Sequence, residues 1–327
     1  MQTRRATLAA LAATAAAASI ERAAAQAYPS RPITMIVPIA AGGSGDTLGR
    51  IIAESIRQRL GQPVIVENVG GAGGSIGAGR AARAPADGYT LLLGNWATQV
   101  VNGAVYPLAY DIVNDFEPVA LIARVPLIIV ARKDLPPTNL SELIAWLRAN
   151  PDKALQGTNG PGSVMHLAGA LFQNETHTHF QFVSYRGAAP AVQALISGQL
   201  DLYLGVAVDC IPQVHAGTIK SYAITAPTRS ALAPEIPTVD DAGLPGFYVS
   251  AWQSLWAPKG TSTDVIAKLN AAVVAALDDR SVVKRLVDIG FAIPPPEQQT
   301  PQALRAFQKA EIATWWPVIK AANVEVR

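Results

Sequence analysis

Three glycine-containing loops are the segments of this sequence best suited to binding chemistry. They are residues 40–47 (AAGGSGDT), 70–77 (GGAGGSIG) and 159–163 (NGPGS), and each leads into a segment with a helical pattern. A helix N-terminus exposes unpaired backbone N–H groups with partial positive charge, and glycine lets a ligand approach the backbone. Any one loop is better explained as a tight turn. Three together predict a shared cleft that binds an anion.

Asp46, in the first loop, has two interpretations. It precedes an apolar helical stripe that begins at Leu48, which predicts that Asp46 is the N-cap of that helix. A bare carboxylate would repel an anionic ligand, but it could instead receive a ligand ammonium group or orient a water molecule. We expect Asp46 to cap the helix and to form part of the cleft wall.

Ser75 raises the alternative of an enzyme. Residues 73–77 (GGSIG) match G-x-S-x-G, the nucleophile elbow of hydrolases, and all four histidines follow in the chain. The motif requires the serine directly after a strand, whereas residues 70–74 form a glycine-rich insertion here.

Residues 77–82 (GAGRAA) match a dinucleotide-binding pattern, but no acidic residue lies about 20 residues further on, where that pattern requires one. We therefore expect a protein that is not an enzyme, with a secreted serine hydrolase as the less favoured alternative.

Metal chemistry has weak support. His177 and His179 would share one face of a strand, but no carboxylate or cysteine cluster lies beside them, which favours an exposed loop. Cys210 is the only cysteine, so an internal disulfide and a cysteine-cluster metal site are excluded. We expect neither a metal nor a cofactor.

Four further residues are candidate ligand contacts. Arg186, between a predicted strand and a helix, could bind a carboxylate through two hydrogen bonds or lie at the surface. Trp96 could wall a pocket or belong to the core, and Thr98 follows it closely at the end of a predicted strand. Asp209 is the fourth candidate.

Composition and the N-terminus indicate an exported globular protein. The 327 residues are 50% hydrophobic and 15% charged, which is too apolar for a disordered chain. No run of Lys or Arg exceeds two residues, which argues against binding of nucleic acid.

Residues 1–27 resemble a signal peptide, with Arg4 and Arg5 before an uncharged run and an A-x-A cleavage site at 25–27. The arginine pair leaves the twin-arginine export route open. We expect a mature, periplasmic chain from Tyr28 onward.

Short β-rich segments alternate with helical patterns along the rest of the chain. The predicted strands are 33–37, 64–67, 90–93, 127–131, 180–185, 200–206, 219–225 and 249–257. The predicted helices are 48–60, 78–84, 140–149, 164–173, 190–197 (opened by Pro190), 264–277, 282–289 and a last one from Pro301. This alternation predicts α/β lobes with parallel sheets and flanking helices. We place lobe 1 at residues 28–127, lobe 2 at 128–249, and a return to lobe 1 at 250–327.

An ordered series of short motifs resembles the substrate-binding receptors of tripartite tricarboxylate transporters, also called the Bug family. The motifs are YPSRPI at 28–33, IVP at 36–38, GGSGD at 42–46 with Arg50, GQPV at 61–64, EN at 67–68, GAGG at 71–74, DGYT at 87–90, GPGS at 160–163 with His166, YRG at 185–187, GQLD at 198–201 and IPTV at 236–239 before Gly243. The ordered set is specific and covers nearly all of the chain after residue 27.

The resemblance implies a two-lobed type II periplasmic binding protein fold that closes over a carboxylate in the cleft between the lobes. In the family, the loop after the first strand and the loop opening a helix of the second lobe hold the ligand. The implied contacts are Ala41, Gly43, Ser44 and Asp46 on one lobe, and Asn159, Gly160, Gly162 and Ser163 on the other. His166 is implied to support the second loop.

Three departures from the family pattern bear on the ligand. Ala40 and Ala41 stand where a proline or a bulkier residue is common, Arg186 stands where lysine is usual, and the Asn95-Trp96 pair matches none of the family motifs named above.

The resemblance thus implies a solute-binding protein that captures a di- or tricarboxylate, an acidic amino acid or an aromatic acid by hinge closure. Its partners would be this ligand and the membrane permease of a tripartite tricarboxylate transporter. We expect a monomer. A ligand-sensing receptor with the same site stays open as an alternative.

Overall fold

The structure, a computed structural model, describes residues 28–185 and 187–322. The predicted signal peptide and the candidate contact Arg186 lie outside the described residues. The strands are β1 (Ile33–Val37), β2 (Val64–Asn68), β3 (Thr90–Asn95), β4 (Phe116–Arg132), β5 (Leu155–Thr158), β6 (Gln181–Ser184), β7 (Leu202–Val206), β8 (Ile219–Ile224) and β9 (Ser250–Pro258). The helices are α1 (Ser44–Leu60), α2 (Ser75–Ala82), α3 (Asn102–Val105), α4 (Leu140–Ala149), α5 (Val164–Thr176), α6 (Ala188–Ile196), α7 (Ala207–His215), α8 (Thr263–Asp278), α9 (Arg280–Asp288) and α10 (Pro301–Ala321).

The strands form two sheet sections that share β4. The first section has the order β2-β1-β3-β9-β4, and the second continues as β4-β7-β5-β6, with β8 on the other side of β4. Neighbouring strands among β1–β3 are parallel, as are those among β5–β7. β9 is antiparallel to β3 and to β4, and β4 is antiparallel to β7. Each section therefore contains a set of parallel strands with crossover helices, as alternating strands and helices favour, and antiparallel strands where the sections meet.

The chain crosses between the sections along β4 and at the start of β9. Residues 116–126 of β4 pair with β9, whereas residues 127–132 pair with β7 and β8. Ser250, the first residue of β9, lies opposite Pro126. Both passages between the sections thus lie side by side.

The hydrophobic core has one cluster that is continuous across both sections and two that are confined to one section each. Ile36 and Leu92 of the first section share the continuous cluster with Ile129 of the second. The alternate residues Met35 and Val37 belong to a cluster of the first section alone. Since successive strand residues point to opposite faces, the continuous cluster covers one face of the whole sheet. On the other face the two sections have separate cores.

Several predicted elements need correction. Helix α1 begins at Ser44, four residues before the predicted start, because its first turn is glycine-rich and lies ahead of the apolar stripe. Pro190 does not open α6 but occupies its third position, after the cap residue Gly187. β4 begins at Phe116 and not at residue 127, with irregular pairing around residues 118–123, where a proline is tolerated in a strand. The prediction also missed β5 and α7.

Within the part of the chain that the structure describes, no helix combines the length and apolar character needed to cross a membrane.

Candidate ligand cleft

The carboxyl ends of both sets of parallel strands are directed toward the middle of β4. In the first section, Asn95 at the end of β3 pairs with Gln253, which pairs with Ala123 of β4. In the second section, Val206 at the end of β7 pairs with Leu127 of β4. Ala123 and Leu127 are four strand residues, or about 13 Å, apart. The carboxyl edges of the two sections thus flank the crossing, which is where open α/β sheets bind ligands.

Four of the helices that begin at this edge lack a side-chain N-cap, whereas α5, which also begins there, is capped by Ser163. Helices α1, α2, α6 and α7 have no side-chain cap; their cap residues are Gly43, Gly74, Gly187 and Val206. A side-chain cap is present on α4, α8, α9 and α10, which begin away from the cleft, and is supplied by Asn139, Ser262, Asp279 and Thr300. The short helix α3 has none. Uncapped helices leave first-turn N–H groups unpaired. Backbone donors are therefore concentrated at the cleft.

Asp46 is not the N-cap of α1, and that prediction was wrong. The cap residue is Gly43, and Asp46 occupies the third helical position. From there its carboxylate reaches back, and Oδ2 accepts a 2.9 Å hydrogen bond from the backbone N–H of Gly42. This is the acidic half of a capping box, in which a third-position carboxylate binds an amide ahead of the helix.

A polar network holds Asp46 in place. Oδ1 accepts from Asn68 Nδ2 at 3.0 Å, and Arg50 Nε donates to Oδ2 at 3.2 Å. Asn68 also donates to the carbonyl of Ile39 and accepts from Arg50. The Gly42 hydrogen bond, reinforced by Arg50 and Asn68, holds the pKa of Asp46 below its ordinary value against the opposing effect of burial. Both carboxylate oxygens are therefore engaged within the protein, and the network fixes the first loop to β2.

The first turn of α1 presents free donors. The first hydrogen bond of the helix runs from Thr47 N to Gly43 O. Among the described residues, the backbone N–H groups of Ser44, Gly45 and Asp46 have no acceptor. Ala41, Gly43 and Ser44 are exposed. Three of the four implied contacts on this side thus lie at an open helix N-terminus, and Asp46 lies behind them.

The loop before α5 is closed by its own hydrogen bonds. Ser163 Oγ donates to Gly160 O at 2.7 Å and accepts from the N–H of His166, which makes Ser163 the cap of α5. The N–H of Gly162 donates to His166 Nδ1 at 3.2 Å. Burial lowers the pKa of His166, which favours the neutral ring that this acceptor role requires. Unlike the first loop, this loop uses its glycine N–H groups in hydrogen bonds within the protein.

Asn159 and Asp209 complete the second side of the cleft. Asn159 is exposed, and its Oδ1 accepts a 3.4 Å hydrogen bond from the Tyr203 hydroxyl, which leaves its amide nitrogen as a donor. Asp209 lies in the uncapped first turn of α7, where loss of hydration raises the pKa of its carboxyl. A carboxylate acceptor is thus placed among the second-section donors.

Trp96 and Thr98 point into the protein. Trp96 is 4% exposed and packs edge-on against Trp315, with 5.3 Å between ring centroids. Thr98 is fully buried and exchanges hydrogen bonds with Asn95, whose N–H donates to Thr98 Oγ1 and whose Oδ1 accepts from the Thr98 N–H. Of the two interpretations of Trp96, the structure supports the core residue.

Gln253 lies in the cleft and was not among the predicted contacts. A Cβ atom added to Gly45 would lie 3.5 Å from Gln253 Nε2 and 2.7 Å from Ile39 Cδ1. The Gln253 side chain therefore packs on the first turn of α1. The signal for it in the sequence is a glutamine within the mostly apolar segment SAWQSLWAP.

Ser75 is not hydrogen-bonded to a histidine in the described part of the chain. It opens α2 after Gly73 and Gly74, whose positive φ angles of 62° and 88° form a wide turn. Of the histidines there, His166 binds the Gly162 amide and His215 binds Glu235, and none is hydrogen-bonded to Ser75. The same residues contain no cluster of three or more His, Cys, Asp or Glu side chains that would hold a metal ion.

Two α/β sections joined by adjacent crossing strands, with helix N-termini facing the junction, define a type II periplasmic binding protein fold. The comparison with known sequences gives the family. A sequence model described as "Tripartite tricarboxylate transporter family receptor" matches residues 48–324. The chain belongs to this family of solute-binding receptors.

Named relatives agree with this assignment. Protein BugT of Bordetella pertussis is 35% identical over 305 residues, which is 93% of each chain. The solved structure of MatC from Rhodopseudomonas palustris with bound malate is 40% identical, covers 89% of this chain and 100% of its own, and superposes with a TM-score of 0.71. An R. palustris protein with adipate is 34% identical, with 91% and 99% coverage and a TM-score of 0.73.

Proposed function

We propose that this chain is an extracytoplasmic solute-binding protein that captures a small organic carboxylate by closure of two lobes. The observation that carries the proposal is the concentration of uncapped helix N-termini at the crossing between the sheet sections. Unpaired amides with partial positive charge favour an anion without any metal or cofactor. The malate and adipate seen in two relatives support an aliphatic dicarboxylate as the first class to test.

The two sides of the cleft have different roles in this proposal. The open first turn of α1, with Ser44 and Gly45, receives the ligand carboxylate first. The loop around Ser163 is already closed by its own bonds and meets the ligand afterwards, through Asn159 and the N-terminus of α5. Because the second set of contacts forms only when the lobes approach, ligand binding shifts the equilibrium toward the closed form.

The lobes, the location and the partner are parts of the same proposal. The change of strand partner between Pro126 and Leu127, and the start of β9 at Ser250, support lobes of residues 28–127 and 128–249 with a return at 250–327. We place the mature chain, from Tyr28, in the periplasm. The closed, loaded form delivers its ligand to the permease of a tripartite tricarboxylate transporter.

A thermal-shift screen of the exported, processed protein tests the proposal. The panel holds malate, adipate, citrate, aspartate and benzoate. A ligand at a hundredfold excess over Kd stabilises the native state by about 2.7 kcal/mol, which raises the Tm by a few degrees. A shift with one or more of these carboxylates and none with glucose or choline, reproduced by calorimetric titration, supports the proposal. Protein that is ligand-free by native mass spectrometry and still shows no shift with any member contradicts it.

A further inference from the structure

Gln253 occupies a position in the cleft that its strand neighbours define. It pairs with Asn95, the last residue of β3, on one side and with Ala123 of β4 on the other. Trp252 before it and Ser254 after it are buried, whereas Gln253 is partly exposed. Its side chain therefore emerges at the end of the first section that faces the crossing.

The Gln253 amide is close to the free donors of α1. Nε2 lies 3.5 Å from the position that a Gly45 Cβ would occupy. Among the described residues, the side-chain amide of Gln253 has no hydrogen-bond partner, and neither have the N–H groups of Ser44 and Gly45. A neutral amide and unpaired backbone donors thus lie beside one another at one wall of the cleft.

We propose that Gln253 is a ligand contact that determines specificity, donating from Nε2 to the carboxylate seated at the first turn of α1. This inference rests on the proposed function. A carboxylate has two oxygens and about four acceptor positions. One oxygen can therefore accept hydrogen bonds from the backbone N–H groups of α1 while the other accepts one from Gln253 Nε2. A glutamine adds a donor without adding a charge, so it favours an acceptor group such as a carboxylate at this position and does not require a second acid group elsewhere in the ligand.

Glycine at position 45 leaves open the space between Ile39 and Gln253. A Cβ atom there would lie 2.7 Å from Ile39 Cδ1, which would have to shift, and in ordinary contact with Gln253 Nε2 at 3.5 Å. The glycine therefore keeps the backbone donors of α1 and the Gln253 amide in one continuous surface.

The test compares Gln253→Leu and Gln253→Glu with the wild type, using adipate and malate, each alongside its monoamide. Calorimetric Kd values are measured at pH 7.5. Gln253→Leu removes a hydrogen bond to a charged group and should weaken dicarboxylate binding about tenfold or more. Gln253→Glu places a second anion beside the ligand and should weaken the dicarboxylates further. It should weaken the monoamides less, because a monoamide can bind with its amide end at α1, where its C=O accepts from the backbone N–H groups and its N–H donates to the new carboxylate.

Gln302→Glu is the matched control. Gln302 is exposed in the first turn of α10, at the end of the molecule near Phe116, and the substitution makes the same charge change there. Its Kd values should equal those of the wild type, and the Tm of each ligand-free variant verifies folding. Wild-type binding that persists unchanged in both Gln253 variants overturns the role of Gln253 and leaves the proposed function standing. A wild type that binds neither dicarboxylate overturns both.

Discussion

The backbone N–H of Gly42 donates a 2.9 Å hydrogen bond to Asp46 Oδ2, which ties the glycine loop to the first turn of the helix that follows it. The same carboxylate accepts hydrogen bonds from Arg50 and Asn68, so a single buried side chain joins the loop, α1 and β2. The carboxylate thereby holds the glycine loop and the first turn of α1 in place, with both of its oxygens engaged within the protein.

Replacing Asp46 with asparagine should destabilise the protein. The variant retains one acceptor oxygen and places an NH2 group against donors, so it leaves a buried mismatch that costs about 1–3 kcal/mol. Urea unfolding followed by circular dichroism measures the difference. Asp264→Asn, the same change in the exposed first turn of α8, is the control and should be close to neutral. Equal unfolding midpoints for the two variants would contradict the network.

The contribution of Asp46 should depend on pH. Its pKa is lowered in the folded state, chiefly by the Gly42 hydrogen bond, so its stabilisation is fully present above the ordinary aspartate value of about 4. The stabilisation is lost as the pH falls through the lowered pKa. The difference in unfolding free energy between wild type and Asp46→Asn should therefore shrink below about pH 4. A difference that stays constant from pH 7 to pH 3 would show that the charge of Asp46 contributes nothing.

Ser44 and Ser163 should respond differently to alanine. Ser163 caps α5 and gives its only proton to Gly160, so Ser163→Ala should lower stability by about 1 kcal/mol. Ser44 is exposed at the open end of α1, and Ser44→Ala should leave stability unchanged and weaken ligand binding. Denaturant titration and calorimetry separate the two effects. Ser163→Thr, which keeps a hydroxyl, should preserve most of the capping. An affinity loss in Ser163→Ala without a stability loss would argue against the capping role.

Glu311 should make the protein less stable as the pH rises. Burial raises its pKa, although the 3.1 Å hydrogen bond from Trp252 Nε1 and the charge of Arg124 oppose this effect. An acid whose folded pKa is raised stabilises the fold below its ordinary value, about 4.3 for glutamate, and loses that contribution as the pH rises through the raised pKa. Relative to the wild type, Glu311→Gln should therefore gain stability between pH 4 and pH 8. Glu297→Gln, at an exposed position, should show no such trend. Parallel pH profiles for wild type and Glu311→Gln would rule out the effect.

Elements with complete local signals could be predicted from the sequence. Helix α4 has the predicted bounds because Asn139 caps its start, an apolar stripe runs along it and Pro151 follows its end. β1 is likewise an uninterrupted apolar segment before a turn. The first part of β4 was missed because Pro118 and Pro126 interrupt it, and it is held by pairing with a strand more than a hundred residues away.

The candidate cleft could be predicted only in part. The glycine loops mark helix starts that follow strands, which is a local pattern. The position of Gln253 depends on the register of β9 against β3 and on Gly45, which lies about two hundred residues earlier in the chain. The internal closure of the second loop could not be predicted either, since it depends on rotamers of Ser163 and His166 that the residue types do not determine.

The pairing of Pro126 with Ser250 has a consequence for how the chain can be divided. Paired residues on antiparallel strands have Cα atoms about 5 Å apart, a distance that a two-residue turn spans. Residues 127–249 are thus a continuous insertion whose two ends meet. Joining β4 directly to β9 through such a turn would leave an ordinary hairpin in the first section. The second sheet section is thus carried between two adjacent strands of the first, an arrangement that insertion of a gene segment can produce in a single event.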